Sequence, residues 1–183
     1  MQDHLGADNV IRLALTLMTS LLAGCTDGRP QANLQFLNIE KTRDYVEIRF
    51  KSDMNLDKIF KDNKNQRPVH SELICSLNAD ANLDFDHRLT NFANGTLTEF
   101  SETTGRNKYN FKASLLFWRA AADDSGSDTI LADEEVINLL IQTKEIPCLY
   151  RMTIYLSKPY YTKKIIVPSK DIIDVLRSTD SRQ

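Results

Sequence analysis

Apolar and polar residues alternate along much of the chain, and a period of two predicts strands. Asn33–Ile39 is the first strand candidate. In Tyr45–Phe50, Val46, Ile48 and Phe50 share one face, and Glu47 and Arg49 take the other. Glu40–Asp44 would connect these two as a hairpin. Val69–Leu77 puts Leu73, Cys75 and Leu77 on one face, and Lys108–Trp118 does the same with Tyr109, Phe111, Ala113, Leu115 and Phe117. Cys148–Ser157 aligns Cys148, Tyr150, Met152, Ile154 and Leu156 against Arg151, Thr153 and Tyr155. A hairpin at Lys158–Tyr160 leads into Tyr161–Val167, which Pro168 ends. Arg88–Phe100 is expected to be a hairpin turning at Asn94-Gly95, a favoured type I′ pair.

Helical spacing occurs in three places. Leu56, Ile59 and Phe60 fall at i, i+3, i+4 behind Ser52 or Asp53 as cap. Val136, Leu139 and Leu140 do so behind Asp133, although Val136–Ile141 also reads as a strand. Ser169 is the expected cap of a short C-terminal helix through Leu176. The pattern as a whole predicts a mainly β fold, an antiparallel β-sandwich of immunoglobulin-like or transthyretin-like layout with one or two short peripheral helices. The immunoglobulin signature itself is missing. Trp118, the only tryptophan, lies too far beyond Cys75, and Ile146 stands where the corner tyrosine would be.

The first residues follow a different pattern. After Arg12 an apolar run, Leu13 to Ala23, closes on Leu22-Ala23-Gly24-Cys25. An apolar segment ending in small residues is an export signal and not a fold element. This run resembles the bacterial lipobox. The resemblance implies that Cys25 becomes the first residue of the mature chain and carries the lipid. It also implies, because Thr26 and not Asp follows Cys25, the periplasmic face of the outer membrane. Asp3 and Asp8 stand where such signals carry Lys or Arg, and a true start codon downstream of them would account for this. The competing reading makes Val10–Leu22 an ordinary apolar helix and Cys25 a free thiol.

The expected organisation is therefore a signal peptide at 1–24, a tether at 25–32, a β-sandwich domain at 33–177 and a tail at 178–183. Removing the signal from 183 residues leaves 159, enough for one domain with a real core. It leaves 22 basic and 23 acidic residues, a net charge of −1, which provides no long-range field for nucleic acid or anionic membranes. With Cys25 lipidated, Cys75 and Cys148 remain as an even pair. In an exported chain such a pair reads as a disulfide, expected here in the core between two sheets, with two separate buried thiols as the alternative.

No motif supports catalysis. Asp80, Asn82, Asp84 and Asp86 alternate like calcium ligands, but Phe85 replaces the turning Gly and Asn91 the bidentate Glu. His70 and His87, on separate segments, make a poor zinc site. There is no Gly-x-Ser-x-Gly turn and no Gly-rich phosphate loop. The expectation is a non-enzyme with no cofactor, no metal and no nucleic-acid partner.

The hairpin from Tyr155 to Lys164 gathers Tyr155, Tyr160 and Tyr161 with Lys158, Lys163 and Lys164 around Pro159. Exposed tyrosines with basic neighbours suit a protein contact, and this hairpin is the expected partner-binding surface. The alternative is tyrosines packed on the sheet and lysines guarding an edge strand. The acidic segment Asp123–Glu135 is a second candidate. In layout (signal, short tether, one β domain, one disulfide) the chain resembles small lipoproteins taken as periplasmic immunity proteins of type VI secretion systems. That resemblance implies a module that neutralises a toxic effector. The alternative is a structural lipoprotein of a secretion or envelope machine.

Overall fold

In the computed structural model, residues 29–42, 45–59, 68–78, 82–100, 109–123, 126–154 and 158–180 are described. They form a mainly antiparallel β fold with two short helices. The strands are β1 (Leu34–Lys41), β2 (Val46–Ser52), β3 (Pro68–Ser76), β4 (Asn91–Gly95), β5 (Leu97–Glu99), β6 (Tyr109–Arg119), β7 (Thr129–Ile130), β8 (Glu145–Ile154), β9 (Tyr160–Tyr161) and β10 (Ile165–Pro168). The helices are α1 (Asp133–Leu140) and α2 (Ser169–Asp180).

The strands follow one hydrogen-bonded path, β1-β2-β6-β4-β3-β8-β10, with β5 and β7 also on β6 and β9 on β8. β6 belongs to both wings. Its first half pairs with β2 (Phe111 opposite Phe50) and its second half with β4 (Trp118 opposite Phe92). The sheet curls until its ends approach. The Lys163 N–H donates to the Ala32 carbonyl at 2.9 Å, and the Ala32 N–H donates to the Tyr160 hydroxyl at 2.9 Å. Of the expected architecture, the antiparallel β and the two short helices are found; the strands run as one curled sheet.

The alternation fixes which side is the interior. Val46, Ile48 and Phe50 from β2, Phe111, Ala113 and Leu115 from β6, and Leu73 and Cys75 from β3 are buried in one cluster with Cys148, Tyr150 and Met152 from β8. Each fully buried large side chain contributes about 1.5–3 kcal/mol. The helices are not peripheral. Ile172 and Leu176 of α2 and Val136 and Leu140 of α1 belong to the same core.

Four local expectations are corrected. Asn94-Gly95 is no turn: β4 and β5 lie along β6 in one register, with Asn94 opposite Leu116 and Leu97 opposite Ala113. Gly95 is needed there for close approach, since a Cβ would stand 2.1 Å from the Ser114 carbonyl oxygen. The N-cap of α1 is Ala132, whose N–H the Glu135 carboxylate accepts at 3.0 Å, while Asp133 pairs with Lys41. At the turn holding Leu56, the capping acceptor is Asn55 Oδ1, which takes the N–H groups of Asp57 and Lys58, and not Ser52 or Asp53. Ser169 falls inside α2 with its hydroxyl unpartnered, so it is not the cap either.

Cys75 and Cys148 are directly opposite on β3 and β8, with Cα atoms 4.0 Å apart and the sulfurs bonded. The bridge is buried but joins neighbouring strands of one ladder, where two packed sheets were expected. It closes a separation of 73 residues. In the chain-entropy model such a closure stabilises by about 4 kcal/mol.

Candidate functional site

The structure separates the residues of the expected binding hairpin. Tyr160 is buried in the core, 6% exposed, with its hydroxyl holding Ala32. Burial pushes its phenol above the ordinary tyrosine range, the Ala32 hydrogen bond partly offsets this, and Asp53 adds to it. It is a structural tie and not an exposed anchor. Tyr161 is half-buried and packs on a second apolar cluster, Ile74, Leu83, Leu89 and Leu149, on the outward side of the sheet. Its hydroxyl accepts the Phe85 N–H at 3.0 Å. Among the described residues of the hairpin, only Lys158, Lys163 and Lys164 are exposed. Tyr155 and Cys25 lie outside the described residues.

Tyr161 instead belongs to a row across the outward face. Glu72 of β3 faces Arg151 of β8, and Arg151 faces Tyr161 of β9. Glu72 is 3% exposed. Its Oε1 accepts from Arg151 Nε and Nη2, each at 2.6 Å, and Asn94 Nδ2 donates to its Oε2 at 2.7 Å. His70 Nε2 stands 3.2 Å from the same carboxylate. The Phe85 ring lies 5.5 Å from the Arg151 guanidinium, a cation–π contact.

Residues 82–90 cross over this row, burying Leu83 and Leu89 beneath them. The Arg88 guanidinium ties that segment to the next by donating to the carbonyls of Ala121 (2.6 Å) and Asp123 (3.0 Å). Between the two segments lies an open groove of about 370 Å³, lined by Phe85, His87, Arg88, Asp123, Asp128 and Arg151 among others. Its charges are of both signs, and Arg88, Asp123 and Asp128 are engaged with backbone groups.

The calcium-like run is used otherwise. Asn82 Oδ1 accepts the Asp84 N–H at 3.0 Å, and Asp84 and Asp86 face solvent; Asp80 is outside the described residues. Among the described residues no group of three or more His, Cys, Asp or Glu is placed to hold a metal ion. Among the same residues, no helix is long and apolar enough to cross a membrane.

The other wing carries a second outward network. Glu47, 5% exposed, accepts from Arg49 Nε at 3.0 Å and from Lys112 Nζ at 2.9 Å. Arg49 also reaches Glu40 at 3.0 Å and lies 5.7 Å from the Phe100 ring. Burial raises the Glu47 pKa, but the hydrogen bonds from Lys112 and Arg49 outweigh it, so its carboxyl sits below the usual range. Alternation had marked Glu47 and Arg49 as outward, but no pattern in the chain signalled that outward carboxylates would be buried.

A third feature appears at the Val46 end of β2. Tyr45, Leu116 and Ile130 stand exposed around a groove of about 180 Å³, with Lys41 and Asp133 at its rim. No family model matches the chain, and neither a curated protein nor a solved structure matches it.

Proposed function

We propose that the chain is an exported, lipid-anchored binding protein at the periplasmic face of the outer membrane. Its task is to hold and neutralise a secreted effector by stoichiometric binding. The observation that carries this is the division of the three cysteines. Cys75 and Cys148 are bonded to each other in the core. That leaves Cys25, at the end of the apolar run, as the remaining thiol. A buried disulfide between distant segments fits an oxidising compartment. The chemistry on the outward face fits binding better than turnover, because its buried carboxylates are each held by cations and are not poised against a nucleophile.

The test uses the gene beside this one. Its product, directed to the periplasm, should stop growth, and co-expression of the full chain should restore it with a one-to-one complex recovered. No protection and no complex would overturn the reading. A complex with sheath or baseplate components, without protection, would replace it with a structural role in an envelope machine. Release of products from peptidoglycan, phospholipid or peptides by the purified protein would replace it with an enzyme.

A further inference from the structure

We infer that the groove between α1 and α2 is the docking surface for an acidic segment of a protein partner; this rests on the reading of the chain as a binding protein. The groove follows from how α1 ends. Val136 and Leu140 take its inward face. Ile141, one residue on, is rotated off that face and is 61% exposed. The Thr143 N–H donates to the Leu140 carbonyl at 2.9 Å and closes the turn. Opposite, Lys170, Ile173, Asp174 and Arg177 fall at i, i+3, i+4 and i+7 along one stripe of α2. The space these residues line with Lys144 is about 420 Å³, and Leu140 and Ile173 are its buried apolar part. An exposed apolar side chain over such a hollow, with charged groups around it, is a contact surface.

Charge selects the occupant. The charged groups that line the groove are Lys144, Lys170, Asp174 and Arg177. Asp174 accepts from Lys170, and those two cancel. Lys144 and Arg177 are exposed, and among the described residues no carboxylate pairs with either. The lining therefore keeps two uncompensated positive charges beside an exposed isoleucine. Nucleic acid fits this poorly, since two cations neutralise few phosphates and no aromatic ring lines the groove for a base to stack on. An anionic membrane is flat and is held by larger basic clusters, whereas this surface is concave and includes Asp174. A second copy docked face to face would set Lys144 and Arg177 against themselves. A protein segment presenting an apolar side chain among Asp and Glu satisfies both parts of the surface, and the charge also speeds its approach.

The test is selection from a random peptide-display library on the full chain purified in detergent. Affinities of a selected peptide are then measured for wild type, Ile141→Ser, Lys144→Glu and, as a control at the other exposed apolar groove, Ile130→Ser. All three positions are exposed, so the variants should keep the wild-type melting temperature. The selected peptides should carry an aromatic or aliphatic residue flanked by Asp or Glu. Ile141→Ser should weaken binding about 30-fold, the loss of one anchor. Lys144→Glu should weaken it several-fold, and Ile130→Ser should leave it unchanged. Three results would overturn the inference: peptides with no acidic bias, binding indifferent to both groove variants, or a wild-type dimer that Ile141→Ser dissolves. A growth-protecting complex indifferent to both variants would overturn this surface and leave the binding-protein reading standing.

Discussion

Glu47 and Glu72 are both buried on the outward side of the sheet, one in each wing, and both rest against an arginine that carries a phenylalanine ring. They differ in how many cations answer them. Glu47 has two permanent ones, Arg49 two residues along its own strand and Lys112 across the ladder. Glu40, directly opposite Glu47, is held by the same Arg49. Glu72 has one, Arg151, supplemented by Asn94 and His70. A buried charge stripped of its partner costs far more than the pair contributes. The β1–β2–β6 wing is therefore redundant, and the β3–β8 wing depends on one side chain.

The largest expected effect follows from that dependence. Arg151→Met should cost about 3–5 kcal/mol, because Glu72 stays buried with no permanent cation. For a domain of this size that lowers the melting temperature by roughly 10 °C, read by thermal unfolding monitored by circular dichroism. Arg49→Met should cost only about 1 kcal/mol, since Lys112 remains on Glu47. Equal losses from the two substitutions would break the comparison. Phe85→Ala should cost about 1 kcal/mol by removing the ring over Arg151, and this loss should vanish in the Arg151→Met background, as a double-mutant cycle would report.

The smallest effect is a pH dependence. The folded Glu47 pKa lies below the value of 4.5 taken for the unfolded chain. Its contribution is therefore fully present above pH 4.5 and is lost as pH falls through the lower folded value. Glu47→Gln should flatten the decline of stability in that acid range. An unchanged slope in urea unfolding at stepped pH would show that the Lys112 and Arg49 bonds do not hold the carboxylate. At the alkaline end the sign reverses. Burial, only partly offset by a hydrogen bond with Ser71, pushes Tyr150 up to about 12 from 10.0. Its contribution is present below pH 10 and is lost as pH rises toward 12.

The same contrast explains what the sequence could disclose. Alternation identified the inward rows Val46-Ile48-Phe50, Phe111-Ala113-Leu115 and Cys148-Tyr150-Met152, because side-chain direction in a strand has period two. Curvature and cover carry no such period. Nothing local shows that residues 82–90 cross the outward face, so Arg151 read only as a polar-face residue of its strand and Tyr161 as part of an exposed contact surface. Tyr160 read as an anchor because its hydrogen-bond partner, Ala32, is 128 residues away. Gly95 read as a turn residue because its actual constraint, the Ser114 carbonyl, lies on another strand. The groove at Tyr45, Leu116 and Ile130 draws on three segments that no local pattern joins.

Export and anchoring both turn on Cys25. The direct measurement is metabolic labelling of the full chain with a palmitate analogue, in wild type and Cys25→Ser, followed by alkylation of the unreduced protein. The expected result is lipid label on wild type alone, with Cys75 and Cys148 closed to alkylation. Equal label in both proteins, or a Cys25 thiol that alkylates in the wild type, would contradict an exported, lipid-anchored protein.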